Sequence, residues 1–379
     1  MKYKINFINN SYRRFYSQHK KEIDDAIQSC LSRGELTLRE EVWDLEKKLA
    51  KYIGTKYALT LNSGTDAIFL SLKALGIKKN DEVITVSHTF IAPIQAIVHC
   101  GATPILVDVN NDEQIDVNQI EKVITKRTKA ILPVHLTGNM CNMPEIMRIA
   151  KKHELFVVED ACQALGAVLE SKKAGSWGDT GCFSFNTAKL MGAYGDGGAI
   201  TTNDKKLYQR ISLLRNHWNM SQLSVNKEDF PPPKKFEWGW KSRLDNIQAA
   251  VLLIKLEYLK WNLGRRRDIA EWYNENFYEE MISEQFVLPE EKDGRVWQEY
   301  HLRVKNRSKF VEYLKSKGIE TLVRDAIPNH KQRGLGLNHF HLPMTEKLSK
   351  EIVRLPLYPE MTNAEIDYVI KYVKKYFQE

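Results

Sequence analysis

The sequence has no apolar run long enough to cross a bilayer, and its first residues, MKYKINFINNSYRRF, lack the apolar centre of a signal peptide. Both absences point to a cytoplasmic protein with no membrane partner. Cysteine is scarce. Cys30, Cys100, Cys141, Cys162 and Cys182 are odd in number and too widely spaced for a zinc knuckle, which fits reduced thiols. Histidine offers no metal site either: His339 and His341 lie close together with His330 upstream, but no carboxylate or cysteine completes a ligand spacing. These three are read as surface or substrate-loop residues, and no metal is expected. Internal repeats, low-complexity tracts and a helix-turn-helix pattern are also missing.

What is present describes an ordinary soluble chain of 379 residues, 43% hydrophobic and 27% charged. That length exceeds what one core usually spans and suggests a large domain with a smaller one. The net charge of +8 invites a nucleic-acid partner. The lysines are scattered, however, and pairs such as Lys20-Lys21 and Lys374-Lys375 sit among carboxylates or aromatics on solvated helix faces. An anionic small substrate explains the balance equally well.

EIDDAIQSCLSRGE and EEVWDLEKKLAKYIG carry apolar residues at helical spacing, the second ending at Gly54. Strand and helix patterns then alternate: YALTLN, GTDAIFLSLKALGI, EVITVS, FIAPIQAIVHCG, PILVDV, QIEKVIT, KAILPVHL, PEIMRIAKKHE and LFVVEDA. Strands that are apolar throughout and separated by helix-length segments predict an α/β domain, a mainly parallel sheet sandwiched by helices. The polar, proline-interrupted stretch 218–242 reads as a functional loop. DNIQAAVLLIKLEYLKWNLGRRRDIAEWYNENF predicts one or two long helices, and FVLPE, EYHLRVKN, KFVEYLKSKG and AEIDYVIKYVKKYF predict a smaller α+β domain. The expected division is 1–245 and 246–379.

Chemistry-bearing residues gather where strands end. In NSGTDA, Gly64 permits close backbone approach, and free amides at Thr65 and Asp66 at the positive end of a helix suit a phosphate. The same residues also suit an ordinary helix cap. VVEDACQALGA places Asp160 at a strand's carboxyl end, where ligands collect in parallel sheets, with Gln163 just beyond. A helix cap is the competing reading there too. SHTFIAP offers Phe90 as a plate for a flat ring or as core. FSFNTAKLMGAYGDGGAI sets Lys189 between an apolar strand and a glycine-rich loop, with Ser184 upstream. A phosphate cradle, an aromatic plate, an acid for a ring nitrogen and an amine for an aldehyde are the groups that pyridoxal 5'-phosphate requires.

With these residues in order, and with GATPILVDV, PVHLTGNMCNM, LRNH, SRLDNIQAAVL and LPLYPEMT, the chain resembles the DegT/DnrJ/EryC1/StrS family of sugar aminotransferases nearly end to end. The resemblance implies the type I fold of pyridoxal-phosphate enzymes, with Lys189 as the Schiff-base lysine and Asp160 at the pyridine nitrogen. It implies Gln163 at the phenolic oxygen, Phe90 on the ring face, and Gly64, Thr65, Asp66 and Ser184 around the phosphate. A family asparagine supplied to the phosphate by the neighbouring subunit is replaced by Lys241 in GWKSR. Arg243, His217 in LRNH, and His330 in PNH, where the family has proline-leucine-histidine, fall to the substrate. LTLREEV departs from a family segment that ends in glycine.

The implied reaction moves an amino group from L-glutamate to a nucleotide-linked 3- or 4-keto-6-deoxyhexose through the pyridoxamine 5'-phosphate form, for an amino sugar of a surface polysaccharide, O-antigen or glycan. A homodimer with shared active sites is implied as well. Two alternatives stand beside it. The family's sugar dehydratases carry histidine at the lysine position, against which Lys189 argues. A basic DNA-binding regulator would leave the cofactor residues unexplained.

Overall fold

The computed structural model describes residues 3–6, 9–219, 230, 235–278 and 286–378, so much of the 218–242 stretch lies outside the described residues. Three helices open the chain: α1 (Asn9–Gln18), α2 (Lys20–Arg33) and α3 (Glu40–Ile53). Strands and helices then alternate through β1 (Tyr57–Leu61), α4 (Gly64–Ala74), β2 (Glu82–Val86), α5 (Ala92–His99), β3 (Thr103–Val107), α6 (Val117–Ile120), β4 (Thr128–Ile131), α7 (Met143–Lys152) and β5 (Phe156–Asp160). A short hairpin, β6 (Val168–Leu169) and β7 (Lys172–Lys173), precedes β8 (Thr180–Ser184) and β9 (Gly198–Thr202). Next come α8 (Lys205–Leu214), α9 (Asn246–Glu257), α10 (Leu259–Phe277), β10 (Phe286–Val287) and β11 (Tyr300–Val304). The described chain closes with α11 (Arg307–Ser316), α12 (Pro343–Glu351), β12 (Ile352–Leu355) and α13 (Asn363–Gln378).

The main sheet runs β1-β9-β8-β5-β4-β2-β3. Its strands pair in parallel from β3 through β8, and β9 alone runs antiparallel to its neighbours β8 and β1. The predicted mainly parallel sheet is therefore present, with one reversed strand. That strand reverses because β8 returns through the glycine-rich loop directly, without a crossover helix. Every residue of β2 and of β9 is buried, as expected of strands covered on both faces. Helix α3 stops at Gly54, whose φ of 89° closes the last turn by donating to the Ala50 carbonyl. The helix predicted from QIEKVIT is shorter than its pattern suggests. Asp116 caps α6 at Asn118, a 3-10 turn follows over Glu121–Val123, and Ile124 is already extended.

Two large cores, with two small clusters beside them, organise the described chain, and they do not part at residue 245. Ala249 and Leu252 of α9, and Leu259 at the head of α10, belong to the core of the large sheet, whereas Ile269, Tyr273 and Phe277 belong to the second core. The boundary thus falls inside α10, because α9 is apolar over too much of its circumference to stand outside the large unit. The small unit is the antiparallel sheet β10-β11-β12 with α10, α11 and α13, and Ile5 from the start of the chain joins its core. Among the described residues no helix is long and apolar enough to cross a membrane, and no group of three or more His, Cys, Asp or Glu side chains is placed to hold a metal ion.

One buried ion pair ties three elements together beneath the sheet. Glu46 of α3 accepts the Thr60 amide at 2.8 Å and the Thr60 hydroxyl at 3.0 Å from β1. It also pairs with Arg215 at the end of α8, whose Nη1 donates to the Thr60 carbonyl at 2.8 Å. Removing one partner strands the other charge out of water. Glu46→Gln should lower the unfolding free energy by about 3 kcal/mol in a chemical denaturation experiment.

Candidate active site

The carboxyl ends of β1, β5 and β8 converge on a cavity of about 450 Å³. At β1 the chain turns into α4 through Ser63, whose hydroxyl accepts the Asp66 amide at 3.1 Å. This cap consumes one of the two amides expected to be free and leaves Gly64 and Thr65 as the orphan donors of the first turn. Glycine is required here. A Cβ on Gly64 would lie 2.7 Å from Ser184 Cβ and 2.8 Å from Cys162 Sγ, and a Cβ on Gly198 of β9 would lie 2.3 Å from the Ser63 carbonyl. The turn therefore nests between β8 and β9 with its amides at the positive end of α4.

At β5 two adjacent carboxylates face opposite ways, as strand geometry demands. Glu159 is fully buried and accepts the amides of Gly175 (2.9 Å), Trp177 (2.7 Å) and Gly178 (2.8 Å), with His135 Nε2 at 3.0 Å. Asp160 lines the cavity, 6% exposed, and its Oδ1 accepts the Cys162 amide at 3.1 Å. Its backbone is pinned on both sides, to Pro133 O at 2.9 Å and from the His135 amide at 3.0 Å. Gln163 spends its Oε1 on the Thr137 amide at 2.9 Å. Its Nε2 has no hydrogen-bond partner among the described residues. Burial pushes the thiol of Cys162, beside them, well above the usual range.

Lys189 follows β8. Its amide donates to Asn186 O at 2.8 Å, and Gln298 grips the backbone on either side of it: Oε1 accepts the Leu190 amide at 3.0 Å, and Nε2 donates to Ala188 O at 2.8 Å. The side-chain amine has no hydrogen-bond partner among the described residues. Phe90, 62% exposed, lines the same cavity.

The structure thus brings together Gly64, Thr65, Phe90, Asp160, Gln163, Ser184 and Lys189. It leaves Asp66, His217, Lys241, Arg243 and His330 off the lining. Asn216 and Lys241 form a bridge, Arg243 Nη1 donates to Asn216 Oδ1 at 3.1 Å, and the exposed His217 takes a left-handed φ of 56° beside them. His330 departs from its expected place on a substrate or surface loop. It is fully buried, with Nδ1 hydrogen-bonded to Ser87 Oγ at 2.8 Å and Nε2 3.2 Å from Glu346 Oε1. Next to it, Asn329 Nδ2 donates to the carbonyls of Ser87 and Thr89 at 3.1 and 2.7 Å, so this pair braces the loop that presents Phe90. His339 and His341 are exposed.

Gln298, Glu299, Arg324, Asp325 and Arg354 also line the cavity, and the sequence reading missed all five. The one available signal was charge inside strand-like runs: Arg354 sits in the otherwise apolar IVRLPL, and Glu299 directly precedes YHLRV. Burial opposes ionisation of Glu299, but Arg354, Arg324 and Lys189 outweigh it and hold the carboxyl below its ordinary value.

A helix-covered, mostly parallel sheet that places an unpaired lysine amine, a buried aspartate and a glycine-built helix N-terminus around one cavity defines an aminotransferase of the type I fold. The chain belongs to the DegT/DnrJ/EryC1/StrS aminotransferase family, whose pattern it matches over residues 17–374. It is 42% identical over 371 residues to the dTDP-3-amino-3,6-dideoxy-alpha-D-galactopyranose transaminase of Aneurinibacillus thermoaerophilus, covering 96% of this chain and 98% of that one. Among solved structures it resembles S. venezuelae DesV in complex with a ketimine intermediate, with a TM-score of 0.90, 33% identity and 99% of each chain covered. NtdA from Bacillus subtilis with bound pyridoxamine phosphate matches with a TM-score of 0.88 and 32% identity, over 96% of this chain and 82% of that one.

Gly198→Ala tests the nesting of the Ser63-Gly64 turn. The added methyl displaces the turn, so binding of pyridoxal 5'-phosphate, measured by equilibrium dialysis, should weaken by about tenfold or more while the far-ultraviolet circular dichroism spectrum is retained.

Proposed function

We propose that this protein uses pyridoxal 5'-phosphate to transfer the amino group of L-glutamate to a nucleotide-linked keto-6-deoxyhexose, with the ketone at carbon 3 and dTDP as carrier. The observation that carries this is the unpartnered Lys189 amine, its flanking main chain held by Gln298, in one cavity with Asp160 and the Gly64-Thr65 turn. The choice of carbon and carrier leans on the 42% identity to a dTDP-3-amino sugar transaminase.

The donor set fits the cofactor. The amides of Gly64 and Thr65 and the Ser184 hydroxyl suit a phosphate. Asp160 suits a protonated ring nitrogen, the unpaired Nε2 of Gln163 a phenolate oxygen, and Phe90 a ring face. When bound, the cofactor supplies an electron sink for the carbanion formed at the donor's α-carbon. The protein does the rest. Asp160 keeps the ring nitrogen protonated, which a buried carboxylate does by electrostatics alone. Lys189 Nζ removes the proton from the α-carbon of the donor, and in the second half-reaction it returns one to the carbon that carried the ketone. Both substrates use one cavity in turn, so ping-pong kinetics follow.

A homodimer gives purpose to the residues off the lining. His217, Lys241 and Arg243 lie on a surface that also exposes Phe236 (78%) and Trp238 (94%), and an apolar patch of this kind suits a second copy of the chain. On this reading they complete the partner's cavity, where the Lys241 ammonium pairs with phosphate.

Borohydride treatment of the cofactor-loaded protein followed by peptide mapping should label Lys189, and Lys189→Ala should lose both the label and the wild-type visible absorbance. Retained absorbance with multiple turnovers in that variant would refute the assignment. Asp160→Ala should keep part of the bound cofactor and lose turnover by orders of magnitude, measured as 2-oxoglutarate formed from L-glutamate with dTDP-linked 3-keto-6-deoxyhexoses.

A further inference from the structure

One wall of the cavity is built by residues of the small unit. Arg324 lines the main cavity and also a smaller one, about 60 Å³, behind Lys189; Lys189, Gln298 and Glu299 line both as well. Glu299 links the charged groups of this wall. One of its oxygens pairs with Arg354 Nε, and the other lies 3.6 Å from Arg324 Nε. The side chain of Arg354 is 5% exposed; its Nη2 lies 3.7 Å from Asp325 Oδ2 and its Nη1 is buried without a hydrogen-bond partner, so its charge faces two carboxylates of the protein, Glu299 and Asp325.

Arg324 is placed differently. Its side chain is 41% exposed, and its ion pair among the described residues is the approach of Nε to Glu299 Oε1 at 3.6 Å. The two terminal nitrogens of its guanidinium have no hydrogen-bond partner among the described residues. The backbone that carries it is fixed: Leu322 and Arg354 exchange both main-chain hydrogen bonds, at 3.1 and 2.9 Å, and Asp325 holds a left-handed φ of 54°. A non-glycine residue keeps that conformation only where its surroundings impose it. A guanidinium that turns its Nε toward a buried carboxylate 3.6 Å away, and is open at its fork, is ready to take a second carboxylate.

The two substrates differ in what they offer such a group. A keto-6-deoxyhexose has no anion on its reacting ring, and its charges lie out on the diphosphate. An amino acid carries a carboxylate on the reacting carbon itself. We infer that Arg324 anchors a carboxylate of the amino donor and so serves the first half-reaction in preference to the second. This rests on the aminotransferase function proposed above.

Three measurements on Arg324→Gln and Arg324→Lys test it. The first is the calorimetric Kd of glutarate, a dicarboxylate that cannot react, on the cofactor-loaded protein. The second is the L-glutamate concentration that half-converts the visible spectrum. The third is the reverse spectral change when the pyridoxamine form meets a keto-sugar that the wild type accepts. Arg324→Gln should weaken glutarate binding and raise the glutamate requirement by about ten- to a hundredfold, the loss of one charged hydrogen-bonding contact. Arg324→Lys should recover part of both, and the sugar half-reaction should fall by much less than the donor half. Wild-type glutarate affinity in an Arg324→Gln protein with an unchanged Tm overturns the inference alone, as does an equal decline of the two half-reactions. A wild-type spectrum indifferent to L-glutamate overturns the proposed function, and this inference with it.

Discussion

A buried carboxylate is tolerable only when its oxygens are filled, and Glu159 is filled by three amides of one turn, Gly175, Trp177 and Gly178, and an imidazole. This one acceptor fixes where β5 ends, because the 175–178 turn and the His135 loop both close on it. Asp160 inherits that placement, and the strand's alternation sends its side chain to the opposite face, into the cavity. Moving the strand end by one residue would exchange the structural acid for the chemical one. The glycines of the neighbouring turns answer the same demand for close approach. Gly175 and Gly181 leave no room for a Cβ on either, since one on Gly181 would lie 2.2 Å from Gly175 Cα.

The cavity joins two kinds of chemistry from two parts of the chain. The large sheet presents groups suited to a flat, phosphorylated ring at its strand ends. The small unit presents a charged wall in which Glu299 is shared between two arginines. The division follows from the fold: parallel strands gather polar ends at one edge, and a second unit is needed to roof them. Arg266, buried at 6% exposure and bonded through Nη1 to the carbonyls of Trp297, Gln298 and Leu357 at 3.2 Å each, fastens that roof to α10.

Much of this was legible in the sequence, for physical reasons. Apolar strands separated by helix-length segments have few other solutions than a covered parallel sheet, and residues at strand ends are positioned by short local motifs, so the sequence points to Gly64, Phe90, Asp160, Gln163 and Lys189, which the structure gathers on one cavity. The charged wall was not. Arg324 and Arg354 come to the same cavity as Lys189 from more than a hundred residues further along the chain, and no local pattern announces that meeting. β12 was missed for a related reason, because an arginine interrupts its apolar run. The division at residue 245 failed because α9 begins a helical stretch that continues almost without pause into α10, while burial changes partner midway. His330 was placed by its motif neighbours, yet its two ring nitrogens are spent inside the protein, bracing Phe90 from behind.

The segment Val296–Glu299 crosses from one core to the other and is stitched to both sides of the site on the way. Val296 donates to Gly138 O at 3.0 Å and Gln298 to Thr137 O at 3.3 Å, in the same turn whose Thr137 amide orients Gln163. The side chain of Gln298 holds the main chain around Lys189. Gly138 admits the crossing only because it has no Cβ, which would fall 1.7 Å from Val296 O. One short piece of chain therefore acts as a common datum for the amide and the amine, so their mutual spacing is gauged against a single ruler.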